Sequence, residues 1–125
     1  MIVDTYVMIW YLRGEPKAQK ALDSLDDFTL SAVTYMELVQ GLRNKAELRA
    51  LRSFVERRGI AIRAIDDDIS SRAVYLMEEY SLSHGLCMGD ALIAATVESA
   101  GETLLTANVA HYKPLPNVSL KAFRV

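Results

Sequence analysis

Four stretches of this chain set oxygen-bearing side chains at the end of, or inside, apolar segments. Met1-Ile2-Val3 runs into Asp4, and Leu104-Leu105 runs into Thr106-Ala107-Asn108. Asp90 stands directly before Ala91-Leu92-Ile93-Ala94-Ala95, and Glu37 lies within the Ala32–Leu42 stretch. Brought together, the carboxylates of Asp4, Glu37 and Asp90 would repel one another and resist ionising together. A hard divalent cation, bound through oxygen, removes that conflict. Such a site lowers the pKa of water and stabilises a phosphoryl group under attack, which is the chemistry of phosphodiester hydrolysis. No histidine base is required.

Each residue also has a plainer reading. Asp4 sits where a strand gives way to a helix, a common place for an N-cap. Glu37 alone reads as a solvated helix residue. On a 3.6-residue period, however, Thr34, Glu37 and Gly41 form a narrow stripe beside the apolar arc of Tyr35, Met36, Leu38, Val39 and Leu42. A stripe holding a carboxylate, a hydroxyl and a bare backbone position admits close approach. Asp90 precedes a helix apolar on all sides, hence a buried one. Its charge needs a partner, and no Lys or Arg occurs between Ser81 and Thr103. Either the N–H groups of the helix end or a metal ion would serve. Thr106 and Asn108 could equally supply turn chemistry.

The elements that must position these residues follow from the patterning. Met1–Asp4 reads as a first strand; its lack of alternation predicts cover on both faces, as in a parallel sheet. Helices are expected over Thr5–Leu12, ending near Gly14, and over Pro16–Leu25, with Pro16 in the first turn. Phe28–Ser31 reads as the second strand, followed by helices over Ala32–Leu42 and Lys45–Arg58, the latter closed by Gly59. Ile60–Ile65 reads as the third strand. Asp66-Asp67-Asp68 caps a long helix through about Ser81. Ser83–Gly89 reads as a loop, and Asp90 opens a helix that Gly101 ends. Thr103–Thr106 reads as the fourth strand and Val118–Phe123 as a last one at the edge, with Pro114 and Pro116 marking the loop between. This alternation predicts an α/β chain: a central, mainly parallel sheet of four to five strands with helices on both faces. Sites in such sheets form beyond the carboxyl ends of the strands.

Composition narrows the setting. The chain has 125 residues, 51% hydrophobic and 24% charged, as expected for one globular domain over 1–125. A net charge of −2 argues against coating nucleic acid through bulk charge. The lone Cys87 excludes an internal disulfide and suits a reducing cytoplasm. Neither a secretory leader nor a membrane span is expected. His84 and His111 are not spaced as a metal pair, and Trp10 and Tyr11 read as core. No Gly-rich phosphate loop is present, which argues against nucleotide binding. Tyr6 occupies the place where an aspartyl-phosphate enzyme of the haloacid-dehalogenase type carries its second Asp.

The segments "VDTYVMIWYLRG", "SAVTYMELVQGLRN", "GDALIAATVESAG" and "LLTANVAHY" resemble those of PIN-domain ribonucleases, and most closely those of VapC-type toxins from prokaryotic toxin–antitoxin pairs. The resemblance implies a three-layer PIN-like fold over nearly the whole chain. It carries the family's acidic positions to Asp4, Glu37 and Asp90 and its post-strand Thr to Thr106. It further implies Mg²⁺- or Mn²⁺-dependent cleavage of an RNA substrate in the cytoplasm, a homodimer, and inhibition by a cognate small antitoxin. Three positions depart from the pattern. Tyr6 replaces an Asn or Asp, Gly89 a larger residue, and Asn108-Val109 stand where many members carry a fourth acid. Asn108 could still orient water or a ligand carboxylate.

RNA also needs cations. Arg43 reads as the best phosphate contact, with Arg13 second. Arg49, Arg52, Arg57 and Arg58 read as a solvated face paired to Glu47 and Glu56. The competing function is a PIN-fold binding module, catalytically weak for want of the fourth acid, that mainly engages an antitoxin.

Overall fold

The computed structural model describes all 125 residues. The chain runs β1 (Ile2–Val3), α1 (Thr5–Leu12), α2 (Pro16–Asp23), β2 (Thr29–Ser31), α3 (Ala32–Gln40) and α4 (Lys45–Arg58). It continues through β3 (Ala61–Arg63), α5 (Asp67–His84), α6 (Met88–Ala100), β4 (Thr103–Thr106), α7 (Val109–Tyr112) and β5 (Ser119–Ala122). The five strands form one parallel sheet in the order β3-β2-β1-β4-β5. β1 is central: Ile2 pairs with Thr29 on one side and Leu104 on the other, and Val3 with Leu105.

The unbroken apolar character of β1 is explained by its cover. Ile2 and Leu104 join the core cluster built with Ile69, Leu76, Ile93 and Val97 of α5 and α6. Val3, Leu30 and Leu105 point the other way, into the cluster of Val7, Met8, Leu22 and Leu51 from α1, α2 and α4. Two helical layers therefore sandwich the sheet, giving the three-layer architecture. Ile2 and Val3 are wholly buried, each gaining about 1.5–3 kcal/mol from that burial. This is how so short a strand holds the centre. Trp10 and Tyr11 serve the core as expected: Trp10 meets Phe123 edge-on at 6.2 Å, and Tyr11 packs on Phe54 at 5.6 Å.

Several boundaries differ from the sequence reading. α5 runs on to His84, past the expected stop at Ser81, because Gly85 (φ +66°) supplies the left-handed cap. His84 is thus the last helical residue, and only residues 85–87 remain of the expected Ser83–Gly89 loop. α6 begins at Met88, so Asp90 is its third residue and does not open it. α2 stops at Asp23 and α3 at Gln40, each about one turn or less short. α7 was not expected. No helix is long and apolar enough to cross a membrane.

Candidate functional site

Parallel strands carry their carboxyl ends to one edge, and β1 and β4 are neighbours there. Asp4 follows Val3 directly and caps α1, its Oδ1 accepting from the Thr5 N–H at 2.9 Å. The capping role and a site role coexist in this residue. Asp4 is only 3% exposed, and its other oxygen, Oδ2, accepts from the Thr106 hydroxyl at 2.7 Å. Thr106 is itself held: its Oγ1 accepts from the Asn108 N–H at 2.9 Å. Asn108 therefore contributes its backbone; its side chain makes no capping bond to α7.

Asp90 projects from the first turn of α6 toward the same place. Its Oδ1 lies 3.2 Å from the Tyr112 hydroxyl, which also lies 3.3 Å from Asp4 Oδ1. Asp90 Oδ2 lies 3.3 Å from the ring of His111. Its partners are thus two side chains of α7, and no N–H of the helix end. Asp90 sits in the first turn of α6, where the helix end favours a negative charge, but it is not a hydrogen-bonded cap. Tyr112 is wholly buried. In the sequence it stands with His111 close to the expected site, four residues past Asn108, where a structural role is the plainer reading.

Glu37 reaches the site from α3. Ser31 ends β2 and caps α3 in one step, its hydroxyl accepting from the Val33 N–H at 3.1 Å, so the helix starts at the sheet edge. The predicted stripe then faces α1. Thr5 Oγ1 donates to Glu37 Oε1 at 2.7 Å, with the buried Thr34 hydroxyl 3.0 Å away. A β-carbon placed on Gly89 would stand 3.7 Å from Glu37 Oε2. That is ordinary van der Waals contact, and it places the Glu37 carboxylate against the first turn of α6, next to Asp90. Thr5 is a second residue that sequence reasoning missed, hidden because its role depends on the fold.

The electrostatics are one-sided. No ion pair to Lys or Arg involves Asp4, Glu37 or Asp90. Burial, aided by the nearby charge of Asp90, pushes the Asp4 carboxyl above its usual range, against the lowering effect of its hydrogen bonds. Burial and the same two carboxylates push the Tyr112 phenol upward, so it stays protonated. No three His, Cys, Asp or Glu side chains close around a single point. Asp4 and Asp90 are joined through Tyr112, and Glu37 stands beside them.

A groove of about 610 Å³ leads away from Glu37, lined among others by Arg13, Gly41, Arg43 and Glu47. Arg43 is bound to Glu47 through Nη2 at 2.9 Å and Nε at 3.2 Å, whereas Arg13 forms no ion pair. The pairs expected from Arg49, Arg52, Arg57 and Arg58 to Glu47 and Glu56 do not form: Glu47 turns back to Arg43, and Glu56 has no ion-pair partner. Arg58 is structural: it donates to the Leu22 carbonyl at 2.7 Å and lies over Phe28.

A doubly covered parallel sheet with acidic residues at its carboxyl edge defines an α/β protein whose site lies at the strand ends. The PIN domain family model matches residues 1–113, and the chain belongs to that family. It is 33% identical over 122 residues to ribonuclease VapC19 of Mycobacterium tuberculosis, covering 94% of this chain and 95% of that protein. A toxin–antitoxin complex from Klebsiella pneumoniae contains a chain of similar structure (TM-score 0.75, 29% identity, 94% of this chain and 93% of that one). VapBC2 of Rickettsia felis, solved on a promoter DNA fragment, shares the fold (TM-score 0.81, 21% identity, 98% of each chain).

Proposed function

We propose that this chain is a metal-dependent endoribonuclease, the toxin of a type II toxin–antitoxin pair, acting in the cytoplasm as one PIN domain over residues 1–125. The observation that carries the reading is the meeting of Asp4 and Asp90 at one hydroxyl, beside Glu37 and with no Lys or Arg to offset them. The ribonuclease name of a relative matched over nearly its full length supports the substrate.

The donor set suits Mg²⁺ or Mn²⁺. Mg²⁺ keeps several of its waters and takes only one or two carboxylates from a protein, so a closed cage is not needed. Asp4 and Asp90 would hold the ion, with Glu37 directly or through water. Bound there, the ion supplies the charge that acidifies a water and neutralises a phosphoryl oxygen. Thr106 fixes the rotamer of Asp4. Asn108 pins Thr106 through its N–H, and its side-chain amide is free to orient water. Arg13 and Arg43, lining the groove that ends at Glu37, bind the RNA backbone.

Complexes among the structural relatives support a small antitoxin as partner. A homodimer is supported by the apolar groove of about 390 Å³ between α5 and α6, where Val74 and Met88 are exposed. The weak-module alternative rests on the uncharged Asn108 and on the absence of a closed three-ligand cluster.

The test is cleavage of single-stranded RNA by the purified chain, free of partner. Cutting should require Mg²⁺ or Mn²⁺, stop with EDTA, and fall at least ~100-fold in Asp90→Asn, the scale of losing one transition-state charge contact. Equal cutting by wild type and Asp90→Asn sinks the metal mechanism. No cutting by either, with a bound antitoxin peptide, favours the module.

A further inference from the structure

The geometry points to Tyr112 as a positioning residue that sets Asp90 against Asp4 before any cation arrives. The inference rests on the metal site proposed above but concerns a group outside its carboxylates.

The argument begins with the count of hydrogens. A phenol carries one O–H, and it can donate to one acceptor at a time. Yet two carboxylate oxygens, Asp4 Oδ1 at 3.3 Å and Asp90 Oδ1 at 3.2 Å, both lie within reach of Tyr112 Oη. A buried tyrosine seeking only to satisfy its hydroxyl needs one acceptor. Here the hydroxyl sits between two like charges that would otherwise separate. Asp4 Oδ1 already accepts from the Thr5 N–H, so the phenol hydrogen is left for Asp90 Oδ1, which has no other buried donor.

Placement makes the hydroxyl a rigid reference. The Tyr112 ring is wholly buried in the core that includes Ile2, Leu104 and Leu115. Its helix is fastened at the start, where the Asn108 N–H binds Thr106 and Thr106 binds Asp4. The Thr5 N–H and Thr106 grip the two oxygens of Asp4 separately, so Asp4 is fixed without the phenol. Asp90, by contrast, comes from the first turn of α6, and its side chain is 25% exposed. It is free to turn to solvent, where its charge would prefer to be. The Tyr112 hydroxyl is the one buried group that draws it inward; its other contact, His111, is exposed. A phenylalanine would fill the same volume and leave Asp90 without that tether.

Groups that orient metal ligands typically change metal affinity 10- to 100-fold when removed. The test compares wild type with Tyr112→Phe by thermal unfolding during Mg²⁺ titration after EDTA treatment and dialysis. A parallel Mn²⁺ titration counts bound ions by electron paramagnetic resonance. Expected is a folded Tyr112→Phe whose Mg²⁺ and Mn²⁺ midpoints are raised at least ~10-fold. A merely structural role would lower the unfolding temperature in EDTA and leave the midpoints alone. Midpoints within twofold of wild type overturn the inference and leave the metal site standing. A wild type that binds neither ion overturns both. Should Tyr112→Phe not fold, the readout moves to wild type carrying ¹³Cζ-labelled tyrosine. The Tyr112 signal should shift as Mg²⁺ engages its two acceptors, and an unmoved signal at saturating Mg²⁺ overturns the inference.

Discussion

Thr106 Oγ1 donates to Asp4 Oδ2 at 2.7 Å, across 102 positions of sequence. The bond ties the ends of two adjacent parallel strands, and both residues are buried. Hydrogen bonds to charged groups are worth about 1.5–3 kcal/mol. Thr106→Val keeps the shape and removes the donor. It also removes the acceptor for the Asn108 N–H. Urea unfolding should show a loss of about 2–3 kcal/mol for Thr106→Val, and less than half of that for Thr106→Ser, which keeps the hydroxyl.

Asp90→Asn separates stability from metal response. In EDTA the variant should melt at or above the wild-type temperature, since one of two facing charges is gone. With Mg²⁺ at about 100 times its Kd, the wild type should gain about 2.7 kcal/mol and the variant far less. Differential scanning calorimetry reads both. A wild type indifferent to Mg²⁺ would remove the case for the site.

The groove predicts an order among cations. Arg43 is occupied by Glu47, and Arg13 forms no ion pair. In the cleavage-impaired Asp90→Asn background, Arg13→Ala should weaken single-stranded RNA binding more than Arg43→Ala. It should also lower the salt slope by about 0.7, the value for one phosphate contact on a single strand. Glu47→Ala should tighten binding by releasing Arg43. Fluorescence anisotropy over a salt series distinguishes these outcomes.

Asp68 gives a pH effect remote from the site. The Ser99 hydroxyl at 2.7 Å, then Arg72 at 2.9 Å, holds its carboxyl below the usual carboxylate range. A lowered folded-state pKa stabilises above the unfolded pKa, and that contribution fades as pH falls through the folded value. Ser99→Ala should therefore be less stable than wild type from neutral pH down to about pH 4, with the gap closing below that. Thermal melts across the range test the sign.

How much of this was legible beforehand varied by residue. The strand at Ile2–Val3 declared itself through an apolar run without alternation, and the Thr34–Glu37–Gly41 stripe through its period; Glu37 and Thr34 do face α1. Gly59 and Gly101 marked helix ends correctly, because their left-handed caps are local features. The start of α6 was misplaced, because Cys87 caps it with no side-chain bond and so leaves no mark in the sequence. Tyr112, which ends the segment LLTANVAHY and so lies close to the expected site, and Thr5 hide their parts for a different reason. Each acts through contacts made between elements distant in sequence, and neither residue type announces such a role.

β1 lies between β2 and β4, and no strand in the sheet pairs with an immediate neighbour through a hairpin. Thr106 and Tyr112, which bond to Asp4, stand 102 and 108 positions from it in sequence. Contacts so far apart form only once the long intervening stretch of chain has been drawn together. The acidic centre is therefore completed by closure of the whole sheet, and a fragment that lacks either flank of the domain cannot complete it.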